Sequence, residues 1–213
     1  SFVAGIKGRD GRSMLSNPDL KEAYTKGIAV KALWQAKKLS ESGKRPIIFL
    51  DEPYLSGFGS AFFTIERHEV IEMIKEVNDY IRGRSDALIG IHCCGNTDWS
   101  MIIDTEPDII NFDAYGFMDH FLLYPEALTR YVNNGGSIAW GIVPTLNFTG
   151  DETLEELHLK LEYGLCRLNE IGLNRDLISK RSLLTPACGM GTLDEESSNR
   201  ILELLSLLSK EKR

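Results

Sequence analysis

The chain has 213 residues, of which 43% are hydrophobic and 26% charged, and it carries a formal net charge of −7 at neutral pH. That is an ordinary globular composition with enough chain for one sizeable core. The acidic balance argues against a nucleic-acid or anionic-membrane partner, since each needs a basic face. No apolar run approaches the roughly 18 residues of a bilayer span. Lys7, Arg9, Asp10 and Arg12 come too early and too densely for a signal peptide.

In chain order, the opening stretch "SFVAGIKGRDG" has the glycine-rich texture of a strand-to-helix loop rather than a domain start. Asn17 before Pro18 reads as an N-cap and a first-turn proline, opening a helix that runs to a stop at about Gly43. "RPIIFLDEP" (45–53) reads as a buried strand closed by acids and a proline. From Glu66 to about Arg82, Val70, Ile71, Ile74, Val77 and Ile81 fall on one helical stripe. The strand form repeats in "ALIGIHCC" (87–94), "DIINFDA" (108–114), "SIAWGIVP" (137–144) and "SLLTPACG" (182–189). Helices are expected over Pro125–Val132, Asp151–Ile171 with its stop at Gly172, and Asp194–Lys210, with Leu202, Leu205 and Leu208 facing inward. The acidic run at 151 reads as a solvated helix start.

No low-complexity linker or short repeat interrupts the chain, so one domain over residues 1–213 is the expectation. The strands are apolar on both faces, which suits a parallel sheet covered by helices. Five strand–helix alternations imply right-handed βαβ units, in a doubly wound sheet or in part of a (β/α)8 barrel. A closed barrel takes about 250 residues. With the abrupt opening, the α/β chain reads as an N-terminally truncated (β/α)8 TIM-type barrel of about five units.

Four cysteines, Cys93, Cys94, Cys166 and Cys188, do not make a disulfide framework at this length, and adjacent cysteines bridge poorly. A reducing, cytoplasmic setting is expected, where clustered Cys and His more often serve metal or redox chemistry. Strand parity puts His92 and Cys94 on one face and Cys93 on the other. An H-x-C pair at a strand end supplies the nitrogen and thiolate that zinc favours. Cys188 ends the last apolar run, and Asp113 ends the strand after His92. In a parallel sheet all four lie at the carboxyl-end rim, where barrel enzymes place their sites. The competing reading makes the thiols small buried hydrophobes and His92 a hydrogen-bonded core histidine. Cys166, inside a helix, and Cys93 are structural on either reading, and His68, His120 and His158 are surface residues. Asp51 and Glu52 in "DEP" either hold a substrate amine or form a solvated capping pair. Trp140 and Tyr115 either line the rim or pack.

"IIFLDEPYLSGFGSAF", "GIHCCGNTDWSMII", "IINFDAYGF", "IAWGIVPT" and "LLTPACGMGTL" together resemble the cobalamin-independent methionine synthases. More broadly they resemble the uroporphyrinogen decarboxylase/methionine synthase-like superfamily of (β/α)8 barrels. The resemblance covers nearly the whole chain and implies the C-terminal catalytic barrel of a zinc-dependent methyltransferase. By the family's pattern His92, Cys94 and Cys188 would hold zinc. Asp113 stands where the family has a glutamate one methylene longer, which leaves water or substrate to take the fourth place. Asp51 would contact the substrate's amino group, with Glu52 beside it. The implied reaction moves a methyl group from methyl-folate or a methyl-corrinoid donor to a zinc-activated thiol, homocysteine giving methionine.

Two parts of the family's layout are missing: the N-terminal barrel of the long type and the first three strand–helix units of the catalytic barrel. A fragment of a larger enzyme is therefore expected. If the 213 residues stood alone, the open edge would pair with another chain, as in a homo-oligomer, or leave the fragment inactive. "HCCGNT" also suits the corrinoid-dependent coenzyme M methyltransferases. Uroporphyrinogen decarboxylase uses no metal, and the complete thiol set argues against it. A non-catalytic metal-binding relative would lack the substrate acids, yet Asp51 and Glu52 are present.

Overall fold

The computed structural model describes residues 6–9, 11, 13–60 and 65–211. Residues 1–5 of the opening stretch, Asp10, Arg12, and positions 61–64 after "LSGFGS" lie outside the described residues. The elements run α1 (Pro18–Ser40), β1 (Ile47–Asp51), α2 (Arg67–Arg82), β2 (Leu88–Cys93), α3 (Trp99–Asp104), β3 (Ile109–Phe112) and α4 (Ala114–Phe121). Then come α5 (Pro125–Asn133), β4 (Ser137–Val143), α6 (Leu154–Glu170), α7 (Arg175–Lys180), β5 (Ser182–Pro186) and α8 (Glu195–Glu211). The strands follow the order β1-β2-β3-β4-β5 in one sheet, and the β1/β2 and β4/β5 pairs are parallel. This is the α/β class that the alternation of strands and helices implies. Among the described residues no helix is long and apolar enough to cross a membrane.

The chain divides into two compact units, one of residues Ser1–Cys93 with Thr97–Ile109 and one of Cys94–Asn96 with Ile110–Arg213. In the first, α1 starts as expected: the Asn17 side chain accepts from the N–H of Asp19 at 3.0 Å and of Leu20 at 3.2 Å. Its inner face is mostly small, with Ala29, Ala32, Leu33 and Ala36 buried. On α2 the buried stripe is Val70, Ile74, Val77 and Ile81, with Ile71 half-buried at its margin. β1 alternates, with Ile48 and Leu50 buried and Ile47, Phe49 and Asp51 on the other face. β2 buries Ile89, Ile91 and Cys93 completely. The Asn78 amide, fully buried, donates to the Thr105 carbonyl at 3.0 Å and ties α2 to the end of α3.

In the second unit the core is aromatic. Phe112 of β3 stacks on Phe121 of α4 with ring centroids 4.0 Å apart, and Trp140 of β4 meets Phe112 at 5.6 Å. All three rings are fully buried, and burying each phenylalanine contributes about 1.5–3 kcal/mol. The Trp140 indole N–H donates to Ser182 Oγ at 2.9 Å, so the one polar atom brought in by that ring is satisfied. Trp140 therefore packs rather than lining a rim. Gly164 is where α6 approaches this cluster: a Cβ there would lie 2.8 Å from the Trp140 ring. α6 opens with a reciprocal capping box between Thr153 and Glu156 and stops at Gly172, whose φ is +97°.

The five strands and five longest helices lie where the periodicity puts them. Helices α3, α4 and α7 have six to eight residues, too short for a hydrophobic period to emerge. α8 differs in its facing: Ile201, Leu204 and Leu208 are buried, whereas Leu202 is exposed and Leu205 half-buried. The i, i+3, i+7 spacing that begins at Ile201 fits an α-helix as well as the frame that begins at Leu202, and packing chooses between them.

Candidate metal centre

In the first unit β1 and β2 end together. The parallel register sets Phe49 beside Gly90 and Asp51 beside His92, and the Glu52 N–H donates to the His92 carbonyl at 2.8 Å. Paired residues of neighbouring strands face the same side, so Asp51 and His92 share a face. A Cβ on Gly90 would lie 2.2 Å from the Phe49 ring. Glycine at 90 thus leaves the space that the Phe49 ring occupies beside β2. Asp51 is exposed, Glu52 is half-buried, and both border a cavity of about 390 Å³ among α1, β1 and α2.

In the second unit Cys94 and Cys188 come together although they are far apart in sequence. The Val143 carbonyl accepts from the Ala187 N–H at 2.8 Å, which carries the chain past the end of β5 and presents Cys188. Burial pushes the Cys94 thiol above its ordinary range. The neighbouring Cys188, by charge and by hydrogen bond, and then the Asp113 carboxylate add to that rise. Without a cation this cluster disfavours thiolate formation.

The His92 ring nitrogen and the Cys94 and Cys188 sulfurs form a group of potential metal ligands, all within 4.8 Å of one another. Both His92 ring nitrogens are sealed from solvent and have no hydrogen-bond partner among the described residues. Ring nitrogens buried this way lose their hydration without compensation, and a core histidine of the ordinary kind would be satisfied. The donor set, one imidazole and two thiols within 4.8 Å of one another, is of the nitrogen-and-sulfur kind that zinc favours. A divalent cation held there would favour the thiolate form of Cys94 that burial disfavours.

Asp113 lies outside that group of three. It caps α4, with Oδ1 accepting from the Gly116 N–H at 2.7 Å, while its charge still bears on Cys94. Cys93 is fully buried, and Cys166 is exposed on α6 with the Arg175 guanidinium 3.4 Å from its sulfur. His68 and His120 are exposed and His158 is half-buried. Tyr115 is half-buried with Lys160 Nζ 4.3 Å above its ring.

Two polar features escaped the reading of the motifs. Asn111 sits inside the apolar run of β3 and donates to Ala139 and Thr185. Thr145, just past β4, is 4% exposed with no partner for its hydroxyl among the described residues. The signal for Asn111 was a polar residue breaking "IINF". For Thr145 nothing in the sequence distinguishes it from a loop threonine.

No known protein family matches the chain, and no curated protein matches it. Among solved structures it is similar to a mutant of the CcCel6A catalytic domain, at 12% identity and a TM-score of 0.38. That similarity covers 88% of this chain, which spans 55% of the other chain's length.

Proposed function

We propose that this chain is part of the (β/α)8 catalytic barrel of a zinc-dependent S-methyltransferase. It would move a methyl group from methyl-folate or a methyl-corrinoid donor to a thiol, homocysteine by resemblance. One observation carries the reading: His92, Cys94 and Cys188 converge, and both buried ring nitrogens of His92 have no hydrogen-bond partner among the described residues.

His92, Cys94 and Cys188 would hold the zinc. When bound, zinc supplies the positive charge that keeps a neighbouring thiol deprotonated near neutral pH and so makes its sulfur a nucleophile. Three protein ligands leave a fourth position for the substrate, as catalytic sites require. Asp51, on the face of β1/β2 that carries His92, would take the ammonium group of an amino-acid thiol, with Glu52 reinforcing the negative field. Holding the acceptor at both ends turns a bimolecular encounter into a positioned one. Asp113 caps α4, and its charge, which bears on Cys94, would add to the negative field around a bound cation. In the transfer the S–CH3 bond forms as the donor's bond to the methyl breaks, and the donor keeps that electron pair.

Metal analysis of the purified chain tests this. One zinc per chain, lost in Cys94→Ser and in Cys188→Ser with circular dichroism unchanged, supports it. A folded protein that takes up no zinc at micromolar metal overturns it. Product assay with methyl-folate or methylcobalamin in parallel then separates the two donors.

A further inference from the structure

Cys94 and Cys188 are two thiols in contact, and such a pair can be oxidised as well as coordinated. Both lie in the second unit, their sulfurs are within 4.8 Å of each other, and the two thiols share a hydrogen bond. A disulfide brings the sulfurs to about 2.05 Å, with the Cα atoms no more than about 7 Å apart. Closing that gap takes local freedom. Each residue sits in a bend past the end of its strand, Cys94 after β2 and Cys188 after β5, beyond the ladders that hold those strands. A glycine follows each, and a Cβ on Gly189 would meet nothing within 4 Å. Both thiols are half-buried, which leaves them open to an oxidant as small as peroxide.

The other two thiols are placed differently. Cys93 is fully buried at the end of β2, and adjacent cysteines bridge poorly, so it does not compete for Cys94. Cys166 is exposed on α6, with the Arg175 guanidinium 3.4 Å from its sulfur.

We infer that Cys94 and Cys188 are a peroxide-oxidisable pair, closing to a disulfide that takes both sulfurs away from any bound metal. In the first step one thiol sulfur attacks hydrogen peroxide: an S–O bond forms, the O–O bond breaks, and water leaves a sulfenic acid behind. In the second the other thiol attacks that sulfur: the S–S bond forms, the S–O bond breaks, and a second water leaves. The sulfurs lose two electrons to the peroxide, and both thiol protons end in water. A resolving thiol already in contact makes the second step unimolecular, so it outruns further oxidation to sulfinic acid. Of the three candidate ligands His92 alone remains, and a single imidazole does not retain zinc. The inference rests on the proposed function only for what the disulfide switches off: oxidation would stop methyl transfer, and a dithiol with zinc would restore it.

The test treats the full chain, zinc-free and zinc-loaded, with hydrogen peroxide, alkylates the remaining thiols, and maps the linkage by mass spectrometry of a non-reduced digest. A chromogenic chelator follows zinc release. Zinc-free protein should lose two hydrogens at a Cys94–Cys188 linkage and regain them in dithiothreitol. Zinc-loaded protein should release one zinc per disulfide formed. Cys166→Ser should leave both results unchanged. Cys94→Ala and Cys188→Ala should each stop at the sulfenic acid, which dimedone traps. A linkage through Cys93 or Cys166, sulfinic acid in place of the disulfide, or zinc retained by the disulfide form overturns the inference. Should the alanine variants fail to fold, the linkage map of the wild type and of Cys166→Ser still decides. Zinc uptake without the disulfide defeats this inference alone, and the disulfide in a chain that takes up no zinc defeats the methyltransferase reading alone.

Discussion

Gly141 of β4 offers the sharpest test of how packing sets the site. A Cβ there would lie 2.5 Å from the Phe112 carbonyl oxygen, 2.8 Å from Ala187 Cα and 3.2 Å from the Pro186 carbonyl oxygen. All three are backbone atoms, so no side chain can swing aside. Gly141→Ala must therefore push β5 from β4 where the register already shifts between Gly141 and Val143. Overpacking of this kind costs about 1–3 kcal/mol. For a chain of this length that lowers the melting temperature by roughly 2–12 °C. Ala187 is the residue before Cys188, so the same displacement should weaken zinc binding. Differential scanning calorimetry and zinc competition against a chelating dye read the two effects. Gly27→Ala is the control: it is exposed on α1, a Cβ there meets nothing within 4 Å, and alanine should stabilise by about 1 kcal/mol. A Gly141→Ala protein that melts like wild type and binds zinc as tightly would refute the packing argument.

Zinc added to the chelator-treated chain at a thousandfold excess over its dissociation constant should stabilise by about 4 kcal/mol, or roughly 8–16 °C in melting temperature. Cys188→Ser should abolish that shift, and its persistence would place the metal elsewhere. Glu152 is 8% exposed, and although burial raises its carboxyl pKa, the N–H groups of Thr149 and Gly150 outweigh that and hold it below the ordinary 4.5. Its stabilisation is complete above that ordinary value and fades as pH falls through the lower folded one. Urea unfolding should show Glu152→Gln less stable by about 1–2 kcal/mol at pH 7, with the difference shrinking as the pH falls through the lowered folded-state pKa and the carboxyl is protonated; a pH-independent difference would contradict this. Arg67 pairs with Asp104 at 2.7 Å and with Asp98, the N-cap of α3, at 3.3 Å, and its side chain is 42% exposed. Arg67→Ala should therefore cost only about 0.5–1 kcal/mol, less in 1 M salt. A larger, salt-independent loss would mean that the contact is packing rather than charge.

Much of the architecture was legible in the sequence, because apolar runs and helical stripes are local signals that tertiary packing here reinforces. The five strands, the Asn17 cap and the Gly172 stop belong to this class. Parity alone separated Cys93 from the pair on either side of it, since side chains alternate along any strand. The facing of α8 was not legible, because two stripes of leucine and isoleucine fit the same helix and only its neighbours select one. Nor did H-x-C at residues 92–94 decide its own meaning. That depended on Cys188 arriving beside Cys94 across almost a hundred residues, and on a burial that leaves both His92 nitrogens without a hydrogen-bond partner among the described residues. The same holds for Asn111, whose amide is satisfied only because β4 and β5 present Ala139 and Thr185 to it. Periodicity follows from local stereochemistry and can be read along the chain, whereas convergence and desolvation are properties of the folded chain and appear only once distant segments have met.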